Sequence, residues 1–176
     1  MGNKVVRVIL GIVIVAAVLV GGYFILPGQV KWPLTSWFQM NFDSDAAMVI
    51  EKGKLLKPTQ LEDRDPDFKV DNTLDELLRS NSTGSSWYAE VIDKETGKYV
   101  LHGHGYKVTV QYVKQNNDDT SMHYTNDHIE IYVNATIKNG EVVFEKASYG
   151  VNLKDTALDA YGRKRVMEEF AKNVNV

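Results

Sequence analysis

Residues 8–26 form 19 consecutive uncharged, mostly aliphatic positions, and this run constrains the chain more than any other feature. As an α-helix it spans about 28 Å, close to the thickness of a bilayer's hydrocarbon core. A cleaved leader has a shorter apolar stretch, of roughly 7–15 residues, that ends in small residues. This run ends instead in Tyr23, Phe24, Ile25, Leu26 and Pro27. The expectation is an uncleaved, single-pass transmembrane anchor. With no cysteine in the chain there is no lipid attachment through a thioether, and Val6 stands where a myristoylation pattern requires Ser or Thr.

Lys4 and Arg7 precede the run and Lys31 alone lies close behind it. By the positive-inside rule the short N-terminus stays in the cytoplasm and the C-terminal part lies outside. Trp32 and Trp37 are then expected in the headgroup layer, where amphipathic rings partition. The expected location is therefore a cell membrane with an extracytoplasmic domain.

Of the 20 Lys and Arg only Lys4 and Arg7 precede the apolar run, which leaves 18 against 23 Asp and Glu beyond it, a net charge of −5. An acidic domain offers no electrostatic footprint for nucleic acid. The absence of cysteine excludes a disulfide framework and thiol chemistry, and fits a bacterial envelope protein that does without disulfides.

The chain divides into a cytoplasmic tail and anchor over 1–27, a juxtamembrane stalk and transition over 28–72, and an α+β domain over 73–176. Lys31-Trp32-Pro33 and Lys57-Pro58 read as breaks in regular structure. Between them Asp43 or Ser44 can cap a short helix over Ala46 to Ile50. Thr73 and Glu76 have capping-box spacing, with Leu74, Leu77 and Leu78 on one face of a second short helix.

From residue 86 the period changes to two. Segments 86–93 and 98–104 flank the turn Lys94-Glu95-Thr96-Gly97 and read as a hairpin. Tyr106, Val108, Val110 and Tyr112 alternate with polar residues. In 128–137, Ile129, Ile131, Val133, Ala135 and Ile137 point one way. Asn139-Gly140 supplies a two-residue turn into 142–148. A helix over about 155–172 places Leu158, Tyr161, Val166 and Phe170 on an apolar arc around Gly162. The fold expected is an antiparallel β-meander packed against a C-terminal helix and one or two short helices.

Two candidate sites follow. His102, His104, His123 and His128 fall within 27 positions, and His102 and His104 share a strand face. Imidazoles converging from neighbouring strands are a ligand set for zinc, copper or nickel, although no HExxH or Cys/His spacing is present. The second candidate is a partner-binding surface on the polar face of 128–137, carried by Glu130, Tyr132, Asn134 and Thr136. No nucleophile elbow, phosphate loop or SxxK pair occurs, so no catalytic residue and no cofactor is assigned. The expectation is a non-enzymatic module that binds a protein partner at the outer membrane face.

The layout of a short basic N-terminus, one membrane helix and an extracytoplasmic α+β domain is similar to two groups. One is the assembly subunits of bacterial secretion and conjugation systems. The other is the membrane-tethered immunity proteins that neutralise a secreted toxin. The resemblance is one of architecture, implies a protein partner, and carries over no functional residue.

Overall fold

The computed structural model describes residues 20–62, 67–114 and 121–174, with 111–114 and 121–125 described by backbone alone. Of the anchor expected over residues 8–26, positions 8–19 lie outside them. Residues 20–25 are helical, and no described helix is long and apolar enough to cross a membrane.

After residues 20–25, four helices precede the sheet among the described residues: α1 (Gly28–Phe42), α2 (Ser44–Lys54), α3 (Pro58–Leu61) and α4 (Leu74–Asn81). Five strands follow, β1 (Gly84–Asp93), β2 (Lys98–Lys114), β3 (Ser121–Lys138), β4 (Glu141–Leu153) and β5 (Thr156–Ala157), and then α5 (Ala160–Val174). The strands pair antiparallel in sequence order, β1-β2-β3-β4-β5. The domain is therefore α+β, an antiparallel five-stranded meander with a C-terminal helix.

Local chemistry sets the helix starts. The Asp43 carboxylate accepts from Ala46 N at the start of α2. Thr73 Oγ1 accepts from Glu76 N while Glu76 accepts from Thr73 N, the reciprocal capping box at α4. At the hairpin between β3 and β4, Asn139 and Gly140 have φ of 53° and 79°, the left-handed pair that a type I′ turn needs.

One wall of the sheet is the core. Trp87, Ala89, Leu101, Ile129, Ile131, Val133, Ala135, Val151 and Leu153 pack there against α2, α4 and α5. The alternation expected in β3 places Ile129, Ile131, Val133 and Ala135 in that core. Gly103 faces the same wall, and a Cβ on it would lie 2.4–2.7 Å from the Trp87 ring, so its missing side chain is the space the indole fills. Gly53 does the same for α2, where a Cβ would meet Leu101 at 2.1 Å.

Three details differ from expectation. Tyr106 does not share a wall with Val108 and Val110, because Lys107 takes a φ of 54° and the β2–β3 register shifts between Gly105 and Val108. That bulge reverses the alternation, sending Val108 into the core and leaving the Tyr106 ring on the opposite wall beside Trp32 and His128. The last helix begins at Ala160, since Lys154 and Asp155 have positive φ, β5 occupies the next positions and Asp159 caps Gly162 N. Its buried arc runs through Gly162, Val166, Met167 and Phe170, while Tyr161 is exposed.

Residues 28–42 are helical rather than broken at Lys31-Trp32-Pro33, and Pro33 is accommodated inside α1. Ala46, Val49 and Ile50 of α2 are fully buried in the core. Helix α1 runs along the edge strand β1, where the Gln39 side chain donates to Ala89 O (2.6 Å) and accepts from Ala89 N (3.0 Å). A side-chain amide thereby occupies the place of a neighbouring strand on an otherwise open edge.

Candidate functional site

The second wall of the sheet carries the polar half of each strand's alternation. Across β1, β2 and β3 the register sets Tyr88 opposite His102, His102 opposite Tyr132 and His104 opposite Glu130. Three of the four histidines converge there. His104 Nδ1 lies 2.8 Å from His128 Nε2. His102 Nδ1 lies 2.9 Å from Glu130 Oε1, and its Nε2 lies 3.2 Å from Glu90 Oε2. The other oxygen of Glu130 accepts from Asn152 Nδ2 at 2.9 Å. The side chain of His123 is outside the described residues.

Aromatic rings enclose this cluster. Trp32 stacks on His104 with centroids 3.6 Å apart and planes 7° from parallel, and extends to His128 at 5.3 Å. Tyr88 lies near-parallel to His102 and His104 at 4.8 and 5.6 Å. Gly28 makes the position of Trp32 possible, for a Cβ there would sit 2.6–2.9 Å from the indole one turn later. The Tyr106 hydroxyl donates to Gly28 O (3.3 Å), holding the start of α1 over the wall. Trp32, expected in the headgroup layer, is thus a wall of the histidine cluster.

Electrostatics separate the roles. His104 is 2% exposed, and burial pushes its pKa down to about 3, against the pull of Glu130. Burial also lowers His128. The hydrogen bond from His102, joined by that from Asn152, brings Glu130 down to about 2 despite its partial burial. Burial, reinforced by Glu130 and Glu90, raises the Tyr88 hydroxyl. At neutral pH the centre holds an ionised Glu130, neutral His104 and His128 and a protonated Tyr88 hydroxyl. Because His104 and His128 are neutral, one shared hydrogen joins them and a nitrogen lone pair is left over. His104 Nε2 is buried without a hydrogen-bond partner among the described residues, 4.0 Å from Glu130 Oε1.

The four residues expected on a partner-binding face separate into three places. Glu130 belongs to the histidine cluster. Tyr132 lies over Gly150, where a Cβ would come within 2.1–2.6 Å of its ring and hydroxyl. Asn134 and Thr136 lie farther along β3 and line an open groove of about 650 Å³ with Ile92, Lys98, Val143 and Glu145. Thr136 is six residues from Glu130, roughly 20 Å along a strand, so cluster and groove are separate features. The backbone N of Asn134 donates to Ser148 Oγ on β4 at 2.8 Å.

Sequence reasoning passed over Trp32, Tyr88, Glu90 and Asn152. For Tyr88 and Glu90 a signal existed, since the hairpin turn at 94–97 fixes the register that puts Tyr88 across from His102. Trp32 carried none, because its place depends on how α1 docks. Comparison with protein-family models, with curated proteins and with solved structures finds no match to this chain.

Proposed function

We propose that the chain is a membrane-anchored, non-enzymatic binding module of a bacterial cell envelope, whose open sheet wall meets a protein partner at the outer face. The observation that carries this reading is the groove on that wall. It sets the exposed apolar residues Ile92 and Val143 beside Asn134, Thr136, Lys98 and Glu145. A shallow surface that mixes apolar area with adaptable polar groups suits a protein or peptide more than a small substrate.

Helix α1 supports the anchored location. Val30, Leu34, Trp37, Phe38 and Phe42 recur at helical spacing and are 47–67% exposed. The stripe lies directly after the apolar run of residues 8–26 and includes no charge. Such a face fits the interfacial layer of the membrane from which the chain emerges. Tethering also concentrates the module where an envelope partner is found, which suits assembly of a secretion system or neutralisation of an incoming toxin.

The test uses the full chain, tagged at its C-terminus and cross-linked in intact cells through a photoreactive residue at Asn134. A defined adduct that disappears with Val143→Glu supports the groove. Secretion subunits in the adduct favour assembly, and a single secreted toxin favours immunity. Adduct formation unaffected by Val143→Glu, or none above a probe placed at Lys172, overturns the reading.

A further inference from the structure

We propose that His102 Nδ1, His104 Nε2 and Glu130 Oε1 form a three-ligand site for a divalent ion of the zinc class, with the fourth position left open. Each of the three residues offers a ligand atom within 4.8 Å of the other two. The Glu130 oxygen is 2.9 Å from His102 Nδ1 and 4.0 Å from His104 Nε2. Bonds of about 2.0–2.1 Å in tetrahedral geometry require ligand separations of roughly 3.3 Å. The ion therefore draws His104 Nε2 inward and replaces the short contact between His102 and Glu130.

The surroundings of these atoms argue more strongly than their distances. A metal-bound imidazole ordinarily donates its second N–H to a fixed acceptor, which sets the tautomer and ring orientation. Each ligand here has that support on the atom it does not offer. His102 Nε2 faces Glu90 Oε2, His104 Nδ1 faces His128 Nε2, and the second Glu130 oxygen accepts from Asn152. Trp32 and Tyr88 lie against the imidazole faces and limit their rotation.

His104 Nε2 is the independent sign. It is a buried nitrogen with no hydrogen-bond partner among the described residues, on a residue 2% exposed, next to a carboxylate. Leaving a buried polar atom unpaired forfeits its solvation with nothing in return. A cation between His102, His104 and Glu130 satisfies it. In the bound form His102 carries its single hydrogen on Nε2, facing Glu90, and the Nδ1 lone pair takes the ion. Two imidazoles and one carboxylate suit zinc and its transition-metal neighbours, whereas calcium and magnesium require oxygen ligands.

This site stands apart from the partner groove and does not depend on it. The full chain, purified in detergent and stripped with a chelator, is dialysed against zinc chloride and, separately, calcium chloride, and its metal content is measured. Stoichiometric zinc with a higher melting temperature, and no retained calcium, is the expected result. His104→Ala and Glu130→Gln should lose the zinc. Because His104 packs under Trp32 and its variant can fail to fold, Glu90→Gln is the second arm, with about 10–100-fold weaker zinc binding and an unchanged circular dichroism spectrum. Background zinc in the folded wild type overturns the site. So does zinc retained in full by folded Glu130→Gln, or lost only with His123→Ala.

Discussion

The indole of Trp32 lies 3.6 Å above the imidazole of His104, its plane 7° from parallel. This contact joins α1, the helix that follows the apolar N-terminal run, to the centre of the sheet's polar wall. It shields a histidine that burial keeps neutral, and a charged imidazole beneath the same ring has no water to solvate it. Docking of α1 and the chemistry of the cluster are thus linked through one residue.

Trp32→Ala should therefore release the start of α1 while the sheet persists. Loss of the stacking and of the covered area predicts about 1–3 kcal/mol of destabilisation, less than a fully buried tryptophan because Trp32 is partly exposed. Hydrogen exchange should show α1 amides losing protection and β3 amides keeping theirs. Uniform loss across β3 is the contrary outcome, and it would make the stack part of the global core.

Gly103→Ala tests how closely the core is fitted. The added methyl would stand 2.4–2.7 Å from three atoms of the Trp87 ring. Trp87 cannot retreat freely, because its Nε1 donates to Asp75 at 2.8 Å on α4. Overpacking of this kind costs about 1–3 kcal/mol or more, read as a lower urea midpoint. Gly105→Ala should cost less, since its nearest contacts are at 3.0–3.3 Å. Equal effects at both positions would sink this account.

Glu62 and Arg163 form the pair that ties the segment after α3 to α5. Arg163 Nε donates to Glu62 Oε1 at 2.9 Å and a second nitrogen donates to Oε2 at 3.3 Å. The Glu62 side chain is 6% exposed and that of Arg163 is 19%. Removing one partner leaves a buried charge, so Arg163→Met alone should destabilise by about 2–4 kcal/mol. Glu62→Leu combined with Arg163→Met should recover part of that loss. A double-mutant cycle with no coupling would show that the pair is not a unit.

Features encoded locally were legible in the sequence. The capping box at Thr73 and Glu76, the alternation from Ile129 to Ala135 and the turn at Asn139-Gly140 each depend on neighbouring residues, and each is found in place. What escaped depends on distant contacts or on a single dihedral angle. The bulge at Lys107 is one left-handed residue in a strand that otherwise alternates, and it moved Tyr106 to the other wall. Pro33 marks a break by propensity, yet α1 carries it because packing along β1, with Gln39 paired to Ala89, overrides the local preference. The proximity of His102 and His104 followed from period two. Their junction with Glu130 and His128 required the β2–β3 register, which shifts three times along the pair and follows from no local signal.

Acid should unfold the metal-free protein earlier than its exposed groups alone would require. The unfolded state binds a proton at His104 near the ordinary histidine pKa of about 6.5, whereas the folded state does so only near 3. His128 shifts in the same direction, and Glu130 falls from 4.5 to about 2. In all three the unfolded chain holds more protons across the window, so stability rises with pH. Their contribution is fully present above about pH 6.5, begins to fall below it through the histidines, and is joined by Glu130 below about 4.5. In chelator, the free energy of unfolding should drop on the order of 2 kcal/mol between pH 7 and pH 4.5, before most carboxylates titrate. Urea midpoints measured across that range check it, and His104→Gln should flatten the slope if the variant remains folded. A wild-type midpoint that is level from pH 7 to pH 4.5 would mean that His104 accepts its proton in the folded state, and that the Trp32 stack opens to admit water.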